Sequence, residues 1–187
     1  IHLSQLGVAP ALGWIGVQAG LDVLLFIISV MTGRVMPMFT TNGVPGARAV
    51  SRPWVNAAAS AAILLLLAAD LVQANAAAII AVAAFGAAAQ LLRCLLWKPW
   101  RTWRHPIVWV LHVACLWIPM HLAMRAGAQL GWVPASLATH ALTVGVAGGL
   151  IVAMMTRTAR GHTARPLKAD RWDIAVYALV LASAPVR

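Results

Sequence analysis

Acidic side chains are scarce in this sequence, with 4 Asp and Glu against 14 Lys and Arg, and charged residues of either sign fill only 10% of its 187 positions. Soluble domains average about 25%. With 62% hydrophobic residues and a mean hydropathy of +0.85, the chain holds more apolar side chain than one soluble core can hide, so lipid is its natural solvent. Cysteine is nearly absent. Cys94 and Cys115 lie in separate apolar runs without CxxC spacing, which excludes a disulfide framework and gives no zinc or redox motif. No basic stretch followed by a small-residue cleavage site precedes the first apolar run, so that run is a spanning segment and not a signal peptide. Nucleic-acid signatures are also missing. The net charge of +10 gathers between apolar runs and reads as a set of topology determinants, with no nucleic acid as partner.

What is present is a series of runs near the roughly 20 apolar residues that a helix needs to cross a bilayer. They fall at about Leu6–Thr32, Val55–Leu71, Ala76–Leu96, Ile107–Arg125 and Pro134–Thr156, and Asp173–Val186 is a sixth, cut short. The expected fold is all-α: one polytopic transmembrane helix bundle over residues 1–187, with five complete spans and a truncated sixth. A start at Ile1 without Met, and a last run that stops at Arg187, mark the chain as a fragment of a longer protein whose other helices would pack against it. The polar turn around Asp70, Gln73 and Asn75 makes the second and third runs a tight helical hairpin, whose Ala-rich faces suit close packing in lipid.

Lys and Arg counts alternate along the connections. The first has Arg34, Arg48 and Arg52, the second none, the third Lys98, Arg101 and Arg104 with Arg93 just before, the fourth only Arg125, and the fifth Arg157, Arg160, Arg165, Lys168 and Arg171. By the positive-inside rule, connections one, three and five are cytoplasmic and the N-terminus of the fragment faces the periplasm. Trp97, Trp100, Trp103 and Trp109 at one boundary, and Trp117 and Trp132 at the other, read as interfacial belts. Gly16xxxGly20 and Gly145xxxGly149 read as sites of close helix approach.

Ionisable groups inside a bilayer cost at least about 2.5–3.5 kcal/mol each, so they face the bundle interior and usually serve a purpose. Asp22, His112, His121 and His140 are the ones to explain. Gln18, Asp22 and Ser29 recur at i, i+4 and i+11, one stripe that should face protein or a wet cavity. His112 and His121 sit about 180° apart on one helix, so a single metal cannot take both. Depth pairs them otherwise: measured from the middle of each run, His121 and His140 both lie roughly 8–9 Å toward the outer face, and Asp22 and His112 roughly 3–5 Å to the cytoplasmic side. His121 with His140 is thus a candidate metal-ligand pair, and Asp22 with His112 a candidate second shell or proton relay. The alternative for each histidine is a hydrogen bond to a neighbouring helix. A proton-coupled transporter or channel using Asp22 and His112 is the alternative for the protein. His2 and His105 sit near membrane boundaries, where headgroup contact suffices. Cys115, at i+3 from His112, reads as a soft ligand or, more simply, a buried inert thiol.

Two stretches go beyond composition. One runs Gly33-Arg34-Val35-Met36-Pro37-Met38-Phe39-Thr40-Thr41-Asn42; the other runs His140-Ala141-Leu142-Thr143-Val144-Gly145 into Met154-Met155-Thr156-Arg157 and Gly161-His162-Thr163-Ala164-Arg165-Pro166-Leu167. Together they resemble the NnrS family of bacterial membrane proteins, in which GR-x-x-P-x-FT-x-N and HALT-V-G … M-T-R … GHT-x-R occur in this order. The one departure is Ala164, where many relatives have Gly. The resemblance implies an inner-membrane protein of about twelve helices that binds haem b and copper and acts in nitric oxide metabolism and protection from nitrosative stress. It also implies that a His-rich family motif nearer the N-terminus lies outside this chain. The carried-over residues are Arg34, Pro37, Phe39, Thr40, Asn42, His140, Thr143, Arg157, Gly161, His162 and Arg165. Arg34, Arg157 and Arg165 with His162 are expected to form a cytoplasmic cationic cluster able to hold haem propionates or another anion; the alternative is plain positive-inside charge.

Overall fold

A computed structural model describes residues 10–186, with side chains from residue 13 onward; the expected start at Leu6, and His2, lie outside the described residues. All described elements are helical. We label them α1 (Pro10–Gly43), α2 (Pro53–Leu71), α3 (Ala76–Leu96), α4 (Pro106–Gln129), α5 (Ala135–His162) and α6 (Arg171–Ser183). The first five are long and apolar enough to cross a membrane, as expected, and α6, with 13 residues, opens the sixth.

Local chemistry sets the boundaries. Pro53 and Pro106 occupy the first turns of α2 and α4, where a missing N–H costs nothing. The α2–α3 hairpin closes through Gln73 in the left-handed region (φ 51°), and the Asn75 side chain caps α3 by accepting the Ala78 N–H at 2.9 Å. Asp170 caps α6 by accepting from Trp172 and Asp173 in a capping box. The Asp173 N–H, with the Trp172 N–H and Arg160 behind it, holds the Asp170 carboxyl below its ordinary value.

The first helix departs from expectation. Arg34 and the motif around it do not lie in a loop: α1 continues through Pro37 to Gly43. Neighbouring helices in a bundle re-satisfy the backbone groups that proline frees. Pro119 inside α4 is a case in point. It cannot bond the Cys115 carbonyl, and the Cys94 thiol reaches that oxygen at 3.9 Å. Cys94 is thus a local backbone partner, and Cys115 a fully buried thiol.

Helix α4 is central, with 61% of its most apolar stretch buried against 22–39% for the other spans. Leu25, Ile63, Leu66, Ile118, Leu122, Leu142 and Val146 form the core beside it. Small residues give the close approaches: a Cβ on Gly86 would lie 3.2 Å from that of Ala62 between α2 and α3. On α5, Gly145 and Gly149 lie against Trp117 and Ala114 of α4, so that small-residue motif packs as expected. Gly16 and Gly20 do not, since a Cβ on either meets nothing within 4 Å. Residues Ala141–Gly148 of α5 are wound as a π-helix, a winding that is rare and frequently found at functional sites.

Past the end of α5, Ala164 lies in the left-handed region (φ 53°), and the Arg165 N–H bonds the Arg160 carbonyl at 2.9 Å. This is the helix-ending motif in which glycine is favoured. Ala164→Gly is therefore expected to raise stability by up to about 1 kcal/mol, the left-handed penalty of an L-residue less the entropy that glycine costs. The midpoint of thermal unfolding in detergent checks the sign.

Candidate functional site

Polar residues inside the bundle gather at three levels. The first lies at the end opposite the basic connections, where Arg125 of α4 bridges two carboxylates. Its Nη1 donates to Asp22 Oδ1 at 2.8 Å, and its Nη2 donates to both oxygens of Asp70 at 2.9 and 2.7 Å. Gln18 adds a bond to Asp22 Oδ1 at 3.2 Å. The stripe expected on α1 faces protein: Asp22 and Ser29 are fully buried.

One turn before Arg125 on α4, His121 donates Nδ1–H to the Ala138 carbonyl of α5 at 2.7 Å. That bond fixes the tautomer, leaving a lone pair on Nε2, which is buried without a hydrogen-bond partner. Nε2 of His140, two residues past Ala138, is likewise buried and unpartnered.

At the middle level Gln90 and Arg93 of α3 reach Ser29 at 2.8 and 2.9 Å, and Arg93 donates to Gln90 at 2.6 Å. The guanidinium lies 5.3 Å from the Trp97 ring centroid and against Gly33, where a Cβ would stand 3.0 Å from Nη1. Arg93 is only 2% exposed, so it is a core residue and not a topology charge. Trp97, expected at the interface, is fully buried, with its ring edge toward His112; Trp100, Trp103 and Trp132 keep the exposed positions of belt residues.

The third level, at the basic end, joins the two motif stretches. Thr40 donates its hydroxyl to the Met36 carbonyl at 2.8 Å and meets His112 Nε2 at 2.8 Å. Thr40 is thus the partner of His112 Nε2 across the α1–α4 interface. Arg157 of α5 lies over the Phe39 ring of α1 at 3.9 Å, and both line a cavity of about 390 Å³ with His162 and Met154.

The expected pairing of Asp22 with His112 does not form. The expected first run ends at Thr32, whereas α1 continues to Gly43, which moves its middle toward the basic end. Asp22 therefore lies farther from the basic connections than those limits imply, at the level of Arg125, which it meets at 2.8 Å. Nor do the four basic residues make one cluster. Arg157 and His162 share a cavity, Arg165 lines a neighbouring one with Arg160, Asp170 and Asp173, and Arg34 lines neither. On a continuous helix Arg34 and Phe39 are about 140° apart. Arg160 is itself bound to Asp170 at 2.8 Å and to Asp173.

Arg125, Asp70, Arg93 and Gln90 were not anticipated as interior groups. The signal for three of them was their helical spacing within apolar runs, Gln90 with Arg93 at i, i+3 and His121 with Arg125 at i, i+4. Among the described residues no group of three or more His, Cys, Asp or Glu stands together.

Compared with protein families, the chain matches over residues 1–187 the one described as NnrS protein. Neither the curated proteins nor the solved structures give a match.

Proposed function

This chain belongs to the NnrS family, and on that premise we propose that it is the part of a haem- and copper-binding bacterial inner-membrane protein in which His121 and His140 hold a metal. Family membership places it broadly among proteins of the nitric oxide response. The observation that carries the reading is the pair of buried, unpartnered Nε2 atoms on His121 and His140. Arg93 Nε, Trp97 Nε1, Tyr177 Oη and Asp22 Oδ2 are also buried without partners. Of all these, the imidazole nitrogen is the donor that copper and haem iron both commonly take.

His121 is already oriented as metal-ligating histidines are, with its other nitrogen donating to a carbonyl. A metal held by these nitrogens would offer nitric oxide a coordination position. At the opposite end of α5, Arg157 presents positive charge to the cavity it shares with His162, and an anionic group such as a haem propionate would suit it there. The basic connections would face the cytoplasm, and the role would be protection from nitrosative stress.

The test is copper analysis and a pyridine haemochrome spectrum on the purified full-length protein, wild type and with His121→Ala or His140→Ala, each variant checked for native helical content by circular dichroism. Each substitution is expected to remove most of one metal or of the haem. Full occupancy of both in two folded variants would overturn the assignment.

A further inference from the structure

The group formed by Asp22, Asp70 and Arg125 is not electrically balanced. Two carboxylates share one guanidinium, a net charge of −1, at side chains no more than 12% exposed. The donors are also unevenly spent. Arg125 and Gln18 both give their hydrogen bonds to Asp22 Oδ1, while Oδ2 is buried and has no partner. Burying a surplus charge, and leaving a carboxylate oxygen without a donor, are both expensive in a low-dielectric interior.

A single proton answers both costs. We infer that Asp22 and Asp70, held by one Arg125 fork, form a proton-binding site at the end of the bundle opposite the basic connections. Taking H⁺ from water converts the net −1 of the group to zero.

Water has access. A cavity of about 130 Å³ is lined by Gln18, Asp70, Arg125, Gln129 and Thr139, polar groups able to hold several waters by volume and by partners. Asp22 sits behind this lining, so a proton reaches it past Asp70.

Among the described residues the surroundings add no second counter-charge. Toward the group, α1 offers Gln18, α2 offers Asp70 and α4 offers Arg125, with His121 one turn away and committed to Ala138. From α5 come Thr139, and His140 next to it in sequence. From α3 the apolar Ile79 lines a cavity with Gln18 and Asp70; Arg93 of α3 binds Ser29, two turns of α1 deeper. A metal cation is the other way to cancel the charge, but no third His, Cys, Asp or Glu joins the two aspartates among the described residues.

The inference stands apart from the metal assignment and is read by a different signal. Infrared difference spectra of the full-length protein between acid and alkaline pH, in H₂O and in D₂O, are expected to show a carboxylic-acid C=O stretch that titrates and shifts on deuteration. This band is lost in Asp22→Asn and altered in Asp70→Asn, Asn mimicking the protonated form. Three results overturn the proposal: no titrating carboxylic band in the wild type, a band unchanged in whichever variants fold, or one that answers to sodium at fixed pH and not to protons.

Discussion

Arg125→Gln is expected to lower the stability of the bundle by about 3–5 kcal/mol, the cost of removing one member of a buried ion pair and leaving the others uncompensated. Three hydrogen bonds to two carboxylates vanish together, and Asp22, fully buried, cannot turn to water. Arg125→Lys should recover only part of the loss, because an ammonium is a point charge and cannot span two carboxylates as a planar fork does. Adding Asp22→Asn and Asp70→Asn to Arg125→Gln should restore most of it, since the group is then neutral and each amide can hydrogen-bond. Denaturation in detergent, run as a mutant cycle, measures these terms. A loss under about 0.5 kcal/mol for Arg125→Gln, the size of an ordinary surface substitution, would show that Arg125 is no more than a boundary charge.

That contrast marks where the sequence stopped being informative. Five spans, their approximate limits and the α2–α3 hairpin follow from hydropathy and turn residues, and all five are present. The facing of Gln18, Asp22 and Ser29 follows from period alone. Partner choice does not, because one residue of error in a helix's register against its neighbours moves every side chain by about 1.5 Å and 100°. The apolar run reads as ending at Thr32, before Arg34, and stopping there misplaces Asp22 relative to His112. Once α1 is continued to Gly43, Asp22 meets Arg125, and Thr40 of the same helix meets His112. Arg93 and Arg125 were counted as loop charges for a similar reason: each sits near the end of an apolar run, and only packing reveals that the end is inside the bundle.

The sharpest test of how α5 is held against α4 lies in its glycines. A Cβ at Gly145 would stand 2.5 and 2.6 Å from Cδ2 and Cγ of Trp117, atoms at the root of a ring that cannot step aside without moving α4. Ala is a better helix former than Gly by about 1 kcal/mol, so Gly145→Ala would be stabilising if space allowed. Here the sign should reverse, with a loss of about 1–3 kcal/mol from overpacking, larger for Gly145→Val. Gly149, whose Cβ would lie 2.9 Å from that of Ala114, should behave alike. Gly16→Ala and Gly20→Ala, with nothing within 4 Å, should instead gain up to about 1 kcal/mol. Because the bond from His121 to Ala138 crosses the same interface at 2.7 Å, forcing α5 away from α4 should also release His121, and metal occupancy should fall in Gly145→Val as is expected for His121→Ala. Thermal midpoints of the four alanine variants, with copper and haem content of Gly145→Val, decide it; equal effects at Gly16 and Gly145 would mean that the α4–α5 contact does not set the position of the histidines.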